Sequence, residues 1–355
     1  MDANFWKGKR TLITGHTGFK GGWLTLWLQN KGTHVIGYSL DPPTQPNLFE
    51  IAKVSEGMTS ILGDVRDLQH LKAVFAKHNP EIVIHMAAQP LVRFSYNNPV
   101  ETYSTNVMGT VNVLESIKHS ESVEVALIIT SDKCYENKEF VWSYREDDPM
   151  GGHDPYSSSK ACAELVTSAY RNSYFSQEDS GRHGVALASA RAGNVIGGGD
   201  WGMDRLIPDF IKGNMKREPL IIRYPHAIRP WQHVLEPLDG YLCLVERLWE
   251  HRSDFIGGWN FGPNDEGCKS VSWIVENLDR LWGDSISWEL GSAEEPYEST
   301  YLKLDCSKAK RLLGWLPKLN LSTALEWVVE WYKAYFENEN MREVTEAQIL
   351  RYEKM

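Results

Sequence analysis

Short hydrophobic runs alternate with longer amphipathic segments along the first half of the chain. Apolar runs bounded by polar or Gly-containing turns are typical of buried strands, whereas apolar residues three and four apart predict helices. The predicted strands lie at 11–14, 34–38, 60–62, 81–86, 125–130 and 185–191. The predicted helices lie at 21–31, 68–77, 100–118 and 157–174. This alternation predicts an α/β fold with a doubly wound parallel sheet.

The second half of the chain has shorter elements. Gly and Pro become frequent after residue 191, as in Gly197-Gly198-Gly199. A helical pattern at 234–251 nevertheless resembles the helices of the first half. The predicted division is a sheet unit at 1–188 with 229–256 returning to it, a smaller and mostly C-terminal α/β substrate lobe at 189–228 and 257–340, and a polar exposed helix or tail at 341–355.

Composition excludes several classes of protein. The chain is 42% hydrophobic and 24% charged, which is ordinary for a globular protein. A net charge of -10 argues against nucleic-acid or anionic-membrane partners. The five cysteines form no C-x-x-C pair, which favours reduced thiols and a cytoplasmic location. Neither a signal peptide nor a membrane span is visible, and no cluster has metal-ligand spacing, so we predict no metal site.

A glycine-rich turn follows the first predicted strand and opens the first predicted helix. It comprises Gly15, His16, Thr17, Gly18, Phe19, Lys20 and Gly21. Glycines at such a junction allow a tight turn and let backbone N–H groups approach a pyrophosphate. His16 and Lys20 are bulkier or more charged than such a loop normally carries. Lys20 therefore either assists the pyrophosphate or extends outward into solvent.

Acidic residues near the ends of the second and third predicted strands are candidates for binding the adenosine half of a dinucleotide. An acid after the second strand normally binds the ribose. Here Ser39 stands in that place and Asp41 follows two residues later, and no Arg nearby offers a 2′-phosphate site, which favours NAD over NADP. Asp64 is suited to accept from an adenine amino group, and Asp67 is a candidate helix N-cap.

Five residues after and near the fifth strand suggest proton transfer. Of the 15 tyrosines, only Tyr156 has a lysine four residues on, which places Lys160 on the same helix face. An ammonium group beside a phenol favours the phenolate, so Tyr156 is a candidate base, with the Ser131 hydroxyl on the same substrate oxygen. Asp132 and Lys133 add an acid and a base that alcohol oxidation alone does not need.

Three polar residues of the second half are candidates for binding phosphate. They are Arg191, Asn194 and Arg229, and guanidinium groups are suited to clamp a diphosphate, although surface ion pairs are the usual role of Arg. For Arg191 this role and an ordinary ion pair are equally good interpretations.

Together these motifs resemble the extended short-chain dehydrogenase/reductase family and, within it, the nucleotide-sugar 4,6-dehydratases. The similarity runs from about Lys9 to about Lys318. Members that act on dTDP-glucose and GDP-mannose have Glu where Lys133 stands, so the chain looks most like those that act on CDP-glucose. The landmarks are Gly15/Gly18/Gly21, Gly63 to Asp67, His85 to Gln89, Thr105-Asn106 with Gly109, Ser131-Asp132-Lys133, Tyr156/Lys160, Arg191 to Asn194, and Arg229-Pro230-Trp231.

The resemblance implies a Rossmann-type fold, an internally recycled NAD, a cytoplasmic homodimer or higher homo-oligomer built on two long helices, and a product that feeds deoxysugar and O-antigen biosynthesis. In the implied reaction Tyr156 takes the 4-hydroxyl proton while C4 is oxidised. Lys133 then removes the C5 proton, Asp132 protonates the departing 6-hydroxyl, and C6 is reduced. The implied cofactor-binding residues are 15–21, Asp64, Val65, Ala87, Ala88, Gln89, Asn106, Tyr156 and Lys160. The implied substrate-binding residues are Arg191, Asn194, Arg229 and Tyr301.

Three alternative functions stay open at the level of sequence. One is a 4,6-dehydratase of another nucleotide sugar. Another is a nucleotide-sugar 4-epimerase, which has no need of Asp132. The third is a non-catalytic NAD-sensing regulator, which has no need of Tyr156 with Lys160.

Overall fold

The strands of the protein are short, as the sequence pattern predicts. A computed structural model describes residues 4–175, 184–283, 287–291 and 301–355, so parts of both predicted units lie outside the described residues. The strands are β1 (Arg10–Thr14), β2 (His34–Ser39), β3 (Thr59–Leu62), β4 (Ile82–His85), β5 (Val125–Ile129), β6 (Ala186–Ala192), β7 (Val195–Ile196), β8 (Leu220–Ile222), β9 (Ile228–Pro230), β10 (Gln232–His233), β11 (Gly257–Phe261), β12 (Cys268–Ser270) and β13 (Trp288–Leu290).

The helices flank the strands and also build the second half. They are α1 (Phe19–Asn30), α2 (Leu48–Ile51), α3 (Leu68–His78), α4 (Val92–Asn97), α5 (Pro99–Tyr103), α6 (Gly109–Lys118), α7 (Pro155–Tyr174), α8 (Leu206–Lys216), α9 (Leu235–His251), α10 (Val271–Trp282), α11 (Leu321–Phe336) and α12 (Met341–Glu353). A π-helical turn, Ser104–Met108, joins α5 to α6, and a 3-10 turn, Asp132–Cys134, follows β5. No helix within the described ranges is long and apolar enough to cross a membrane.

Seven parallel strands form the central sheet, in the order β11-β6-β5-β4-β1-β2-β3. The predicted doubly wound sheet is therefore confirmed. From β1 the chain continues to β2 and β3 on one side and returns to β4 on the other, which opens a crevice at the carboxyl ends of β1 and β4. The seventh strand, β11, was assigned to the substrate lobe from sequence. Its two leading glycines and the buried Asn260 concealed a parallel strand that pairs with β6.

Local capping sets the position of the two helices that flank the site. Asp154 caps α7 by accepting from the Ser157 backbone N–H at 2.9 Å, and Pro155 occupies the first turn. Tyr156 is thereby fixed at the first turn of α7, directly beyond the sheet. Asp67 caps α3 by accepting from the His70 N–H at 3.0 Å, as its sequence position predicts.

The C-terminal segment is a helix, but it is not simply exposed. Met341, Thr345, Gln348, Ile349 and Tyr352 are buried against the protein, and α12 packs on α1. Trp27 of α1 donates its indole N–H to Glu353 at 2.7 Å, which also pairs with Lys31 at 2.7 Å. The polar composition of this segment hid a buried face, in which Thr345 accepts from the Trp331 indole N–H at 3.0 Å and Gln348 donates to the Trp327 carbonyl at 2.9 Å.

Candidate active site

The glycine-rich turn is built so tightly that side chains are excluded. Gly15 has a φ of +79°, and a Cβ there would lie 2.8 Å from the Ala87 backbone nitrogen. A Cβ on Gly21 would lie 2.1 Å from the Gly15 carbonyl oxygen. Gly18 is the N-cap of α1 and has no side chain to occupy the helix N-terminus. Free backbone N–H groups therefore face the crevice, an arrangement suited to an anion such as a pyrophosphate.

His16 does not face the crevice, contrary to the expectation from its place in the loop. Its Nε2 lies 2.8 Å from the Ser60 hydroxyl, and its ring packs against Phe49. A Cβ on Gly37 would come within 2.4 Å of the ring, so Gly37 of β2 leaves room for it. Burial lowers the pKa of His16 to about 4. The His16 side chain is thus a neutral group packed against β2, and it does not line the cleft.

Lys20 does face the crevice, and it lies among the charged groups at the catalytic end. Burial lowers its pKa to about 8, and Arg205 adds to the effect, whereas Asp132 and Asp200 oppose it. The expected alternative of an outward-directed Lys20 is wrong. Its proximity to Asp200 and Arg205 could not be predicted, because both residues lie far away along the chain.

A single cleft of about 620 Å³ runs along the carboxyl ends of the strands and into the second half. At one end it is lined by Ser39, Asp41, Asp64 and Val65. Ser39 accepts or donates a 2.8 Å hydrogen bond with Thr17. The Arg66 Nε donates to the Oδ1 and Oδ2 atoms of Asp64 at 3.0 and 2.9 Å. This hydrogen bonding lowers the pKa of Asp64.

The segment after β4 forms the floor of the cleft. Ala87 and Ala88 line it, as expected, but Gln89 and Asn106 do not. Asn106 accepts from the Gln89 backbone N–H at 2.8 Å and donates to Ser159 at 2.8 Å. Asn106 and Gln89 therefore connect the floor to α7 and support the site without lining the cleft.

The five predicted catalytic side chains all line the middle of the cleft: Ser131, Asp132, Lys133, Tyr156 and Lys160. The 3-10 turn after β5 holds the first three, because the Ser131 hydroxyl accepts from the Lys133 backbone N–H at 3.2 Å. Tyr156 and Lys160 come from the first turns of α7 and are both buried.

The electrostatics of Tyr156 differ in direction from the sequence-based expectation. Burial raises the pKa of Tyr156 to about 12, and Asp132 adds to the effect, while Ser131 and Arg205 lower it. Burial also lowers the pKa of Lys160 to about 8, and repulsion from Lys20 contributes. Deprotonation of the phenol therefore depends on positive charge close to it, such as the guanidinium group of Arg205.

Asp132 has the environment of an acid. It is 3% exposed, and burial raises the pKa of its carboxyl group, although Lys133 and Arg229 oppose this shift. Its Oδ1 accepts from Ser131 at 3.0 Å, while Oδ2 has no hydrogen-bond partner in the described structure. Gly193 makes room for it, since a Cβ there would lie 2.9 Å from Oδ2. The arrangement favours a carboxyl group that holds and delivers a proton.

Beyond the catalytic turn the cleft continues between α8, β8 and β9. Asn194 and Arg229 line this arm, as expected. Arg205 and Asp200, which belong to no motif recognised in the sequence, also line it and pair at 2.8 Å. Only the fold brings them into the cleft, where Arg205 is close enough to Tyr156 to lower its pKa.

Two predicted substrate-binding residues lie outside the cleft. Arg191 is buried beneath it, where it donates to Glu164 at 2.8 Å and to the Tyr135 hydroxyl at 2.7 Å. Both charged side chains are 5% exposed, so the ion-pair interpretation of Arg191 is the correct one. Tyr301 bridges to Ile228 through its backbone, and its hydroxyl donates to the Val141 carbonyl at 3.4 Å. No group of three metal-ligating side chains occurs in the described part of the chain.

Known proteins resemble this chain over nearly its whole length. A family model for GDP-mannose 4,6 dehydratase matches residues 12–247. The CDP-glucose 4,6-dehydratase of Salmonella typhimurium strain LT2 is 55% identical, over 99% of this chain and 98% of that protein.

Two solved structures share the fold. The dTDP-glucose 4,6-dehydratase of Bacillus anthracis in complex with NAD has a TM-score of 0.76 and 22% identity, over 93% of this chain and 98% of that one. The UDP-glucose 4-epimerase of Thermotoga maritima with UDP-glucose has a TM-score of 0.78 and 20% identity, over 92% of this chain and 99% of that one.

Proposed function

The chain belongs to the GDP-mannose 4,6-dehydratase family and is a nucleotide-sugar 4,6-dehydratase, and on that premise we propose that it converts CDP-glucose to CDP-4-dehydro-6-deoxyglucose. The 55% identity to a CDP-glucose 4,6-dehydratase supports the choice of nucleotide and sugar. The observation that carries the chemistry is a buried acid, Asp132, placed beside Tyr156 in one cleft. An epimerase needs the tyrosine but has no step that uses the acid.

The residues of the cleft fit NAD as cofactor. Side chains are excluded at Gly15 and Gly21, and the N-terminus of α1 is free of acidic residues, so a pyrophosphate can approach the backbone. Ser39 and Asp41 line the end where the adenosine ribose would lie. Held there, NAD would supply the reversible hydride acceptance that oxidation at C4 and reduction at C6 of the sugar require.

Tyr156 is the base for the 4-hydroxyl group in this proposal. Ser131 lies against the phenol and can donate to the same substrate oxygen. Because burial raises the pKa of Tyr156 and Asp132 adds to the effect, nearby cations must lower it, and Arg205 already acts in that direction. Lys160 supplies a second positive charge when it is protonated.

Asp132 and Lys133 carry out the elimination in this proposal. Once C4 is a ketone, the hydrogen on C5 becomes acidic. Lys133, which lines the cleft next to Asp132, takes that proton as base. Asp132, whose pKa is raised by burial, gives a proton to the 6-hydroxyl group, which leaves as water.

Arg229 and Asn194 hold the diphosphate in this proposal. Arg229 is 5% exposed and close enough to Asp132 to lower its pKa, so a diphosphate there lies next to the reacting sugar. A guanidinium group binds phosphate oxygens through two parallel N–H donors, which fixes orientation as well as charge.

We also propose a cytoplasmic homodimer. Large apolar side chains on α5, the π-helical turn and α7 are exposed in the single chain: Val100 by 81%, Met108 by 51% and Leu165 by 59%. Such a surface favours pairing with a second copy. All five cysteines are free, as expected in a reducing compartment. The dehydrated product would supply deoxysugar biosynthesis, including that of O-antigen.

The test is incubation of the purified protein and NAD with CDP-, UDP- and dTDP-glucose and with GDP-mannose. Mass spectrometry should show the loss of one water from CDP-glucose first and fastest. The Tyr156→Phe variant is the matched control and should give almost no product. Dehydration of another sugar nucleotide in preference to CDP-glucose would contradict the proposed substrate.

A further inference from the structure

The arm of the cleft beyond the diphosphate residues is lined mainly by apolar side chains. Leu220, Ile222 and Ala227 are 3%, 2% and 4% exposed, and Leu206 and Val271 complete the lining. These side chains come from β8, from α8 and α10 where those helices begin, and from the loop before β9. An apolar slot in the same cleft as Arg229 suits a flat aromatic group, such as the base of a nucleotide.

Three carboxylates line the same arm, and two of them are already paired. Asp200 contacts Arg205 at 2.8 Å. Asp204 contacts Arg93 at 3.1 Å and Arg223 at 3.6 Å. Both carboxylates therefore already form ion pairs with arginines of the protein.

Asp209 differs from the other two acids. It lies in the first turn of α8, three residues after Leu206 and so on the same face of the helix. Its carboxylate has neither an ion pair nor a side-chain hydrogen bond to any residue in the part of the chain that the structure describes. It is half-buried and lines the cleft together with the apolar side chains of the slot, so it is accessible to a group bound there.

We propose that Asp209 selects the nucleotide base by accepting a hydrogen bond from the 4-amino group of cytosine. This inference rests on the proposed function, in which the substrate is a CDP-sugar. Uracil and thymine carry a carbonyl oxygen at the same ring position. That oxygen would face the carboxylate of Asp209 and be repelled, so the same contact that holds CDP excludes UDP and dTDP.

The charges around Asp209 are compatible with this role. Burial raises the pKa of its carboxyl group to about 6, and the negative charges of Asp204 and Asp200 add to the effect. Lys212 on the same helix and Arg223 after β8 oppose it. Near pH 8 the group is therefore ionised and acts only as an acceptor, which is the state that discriminates against a 4-carbonyl group.

The test compares the binding of CDP and UDP by calorimetry at about pH 8, where no turnover intervenes. The wild type should prefer CDP. In Asp209→Asn the amide can turn its N–H₂ toward a carbonyl, so UDP binding should improve, CDP binding should weaken, and the preference should fall about 10- to 100-fold. The ratio of kcat/KM for CDP-glucose and UDP-glucose should fall in parallel.

Asp204→Asn is the matched control, because it removes one negative charge from the same wall of the cleft. It should shift the affinities for CDP and UDP in the same direction and leave their ratio unchanged. An unchanged ratio in Asp209→Asn, with a preference intact in the wild type, would overturn the role of Asp209 alone. A wild type that binds UDP as tightly as CDP would overturn the proposed substrate together with this inference.

Discussion

Removal of the Arg191 guanidinium should cost stability and leave substrate recognition largely intact. In Arg191→Met the Glu164 carboxylate stays buried with only the hydroxyl groups of Ser189 and Thr130 as donors. The Tyr135 hydroxyl also loses its 2.7 Å donor. The change therefore leaves an uncompensated charge beneath the catalytic turn.

The magnitude follows from the burial of the pair. Both side chains are 5% exposed, and the Arg191 Nη2 lies 2.8 Å from the Glu164 Oε2. Breaking such a pair by deleting one partner costs about 3–5 kcal/mol in free energy of unfolding. Deleting both charges, in Arg191→Met with Glu164→Gln, should recover about 1–3 kcal/mol of that loss, because no buried charge is then left alone.

The assay is urea unfolding followed by tryptophan fluorescence for the wild type, both single variants and the double variant. Calorimetric titration with CDP, at a temperature where each variant is folded, supplies the second measurement. A loss below about 1 kcal/mol combined with strongly weakened CDP binding would refute the structural role. It would support the alternative in which Arg191 clamps the diphosphate.

Three further predictions concern the catalytic end of the cleft. Tyr156→Phe should fold and bind NAD normally but lose roughly 10²- to 10⁴-fold in kcat, and a near wild-type kcat would exclude Tyr156 as the base. Asp132→Asn and Lys133→Met should still oxidise the sugar at C4. The absorbance of reduced NAD should therefore rise, while dehydrated product is lost. Loss of both the absorbance rise and the product would contradict a role of these residues in the elimination. Lys20→Met should raise the pKa of Lys160, because a neighbouring cation is removed, so the alkaline limit of the rate should move to higher pH. An unmoved pH profile would show that the two ammonium groups do not interact.

The fold and the grouping of the five candidate catalytic side chains in one cleft could be predicted from sequence because each depends on local patterns. Apolar runs between helices predict the parallel sheet, and Tyr156 with Lys160 is a spacing along one helix. The placement of β11 in the sheet and of α12 on α1 could not be predicted, since β11 begins with two glycines and the composition of α12 is mostly polar.

Roles that depend on contacts distant along the chain were the ones predicted wrongly or missed. Arg191 and His16 belong to motifs that are typical of binding sites. The Arg191 side chain instead pairs with the buried Glu164, and the His16 ring packs in the space that Gly37 leaves, so neither side chain lines the cleft. Asp209 could not be singled out from the sequence, because an acid in the first turn of a helix is common. Its importance arises only from the apolar slot that the tertiary structure forms around it.

The central claim is an internal dehydration in which the hydrogen on C4 of the sugar ends on C6. CDP-glucose carrying deuterium at C4 tests it directly, with the position of the label read by NMR after complete conversion by the NAD-loaded protein. The account predicts deuterium in the new methyl group at C6 and a solvent hydrogen at C5. Deuterium found again at C4 of an epimerised sugar, or lost to the solvent, would contradict it.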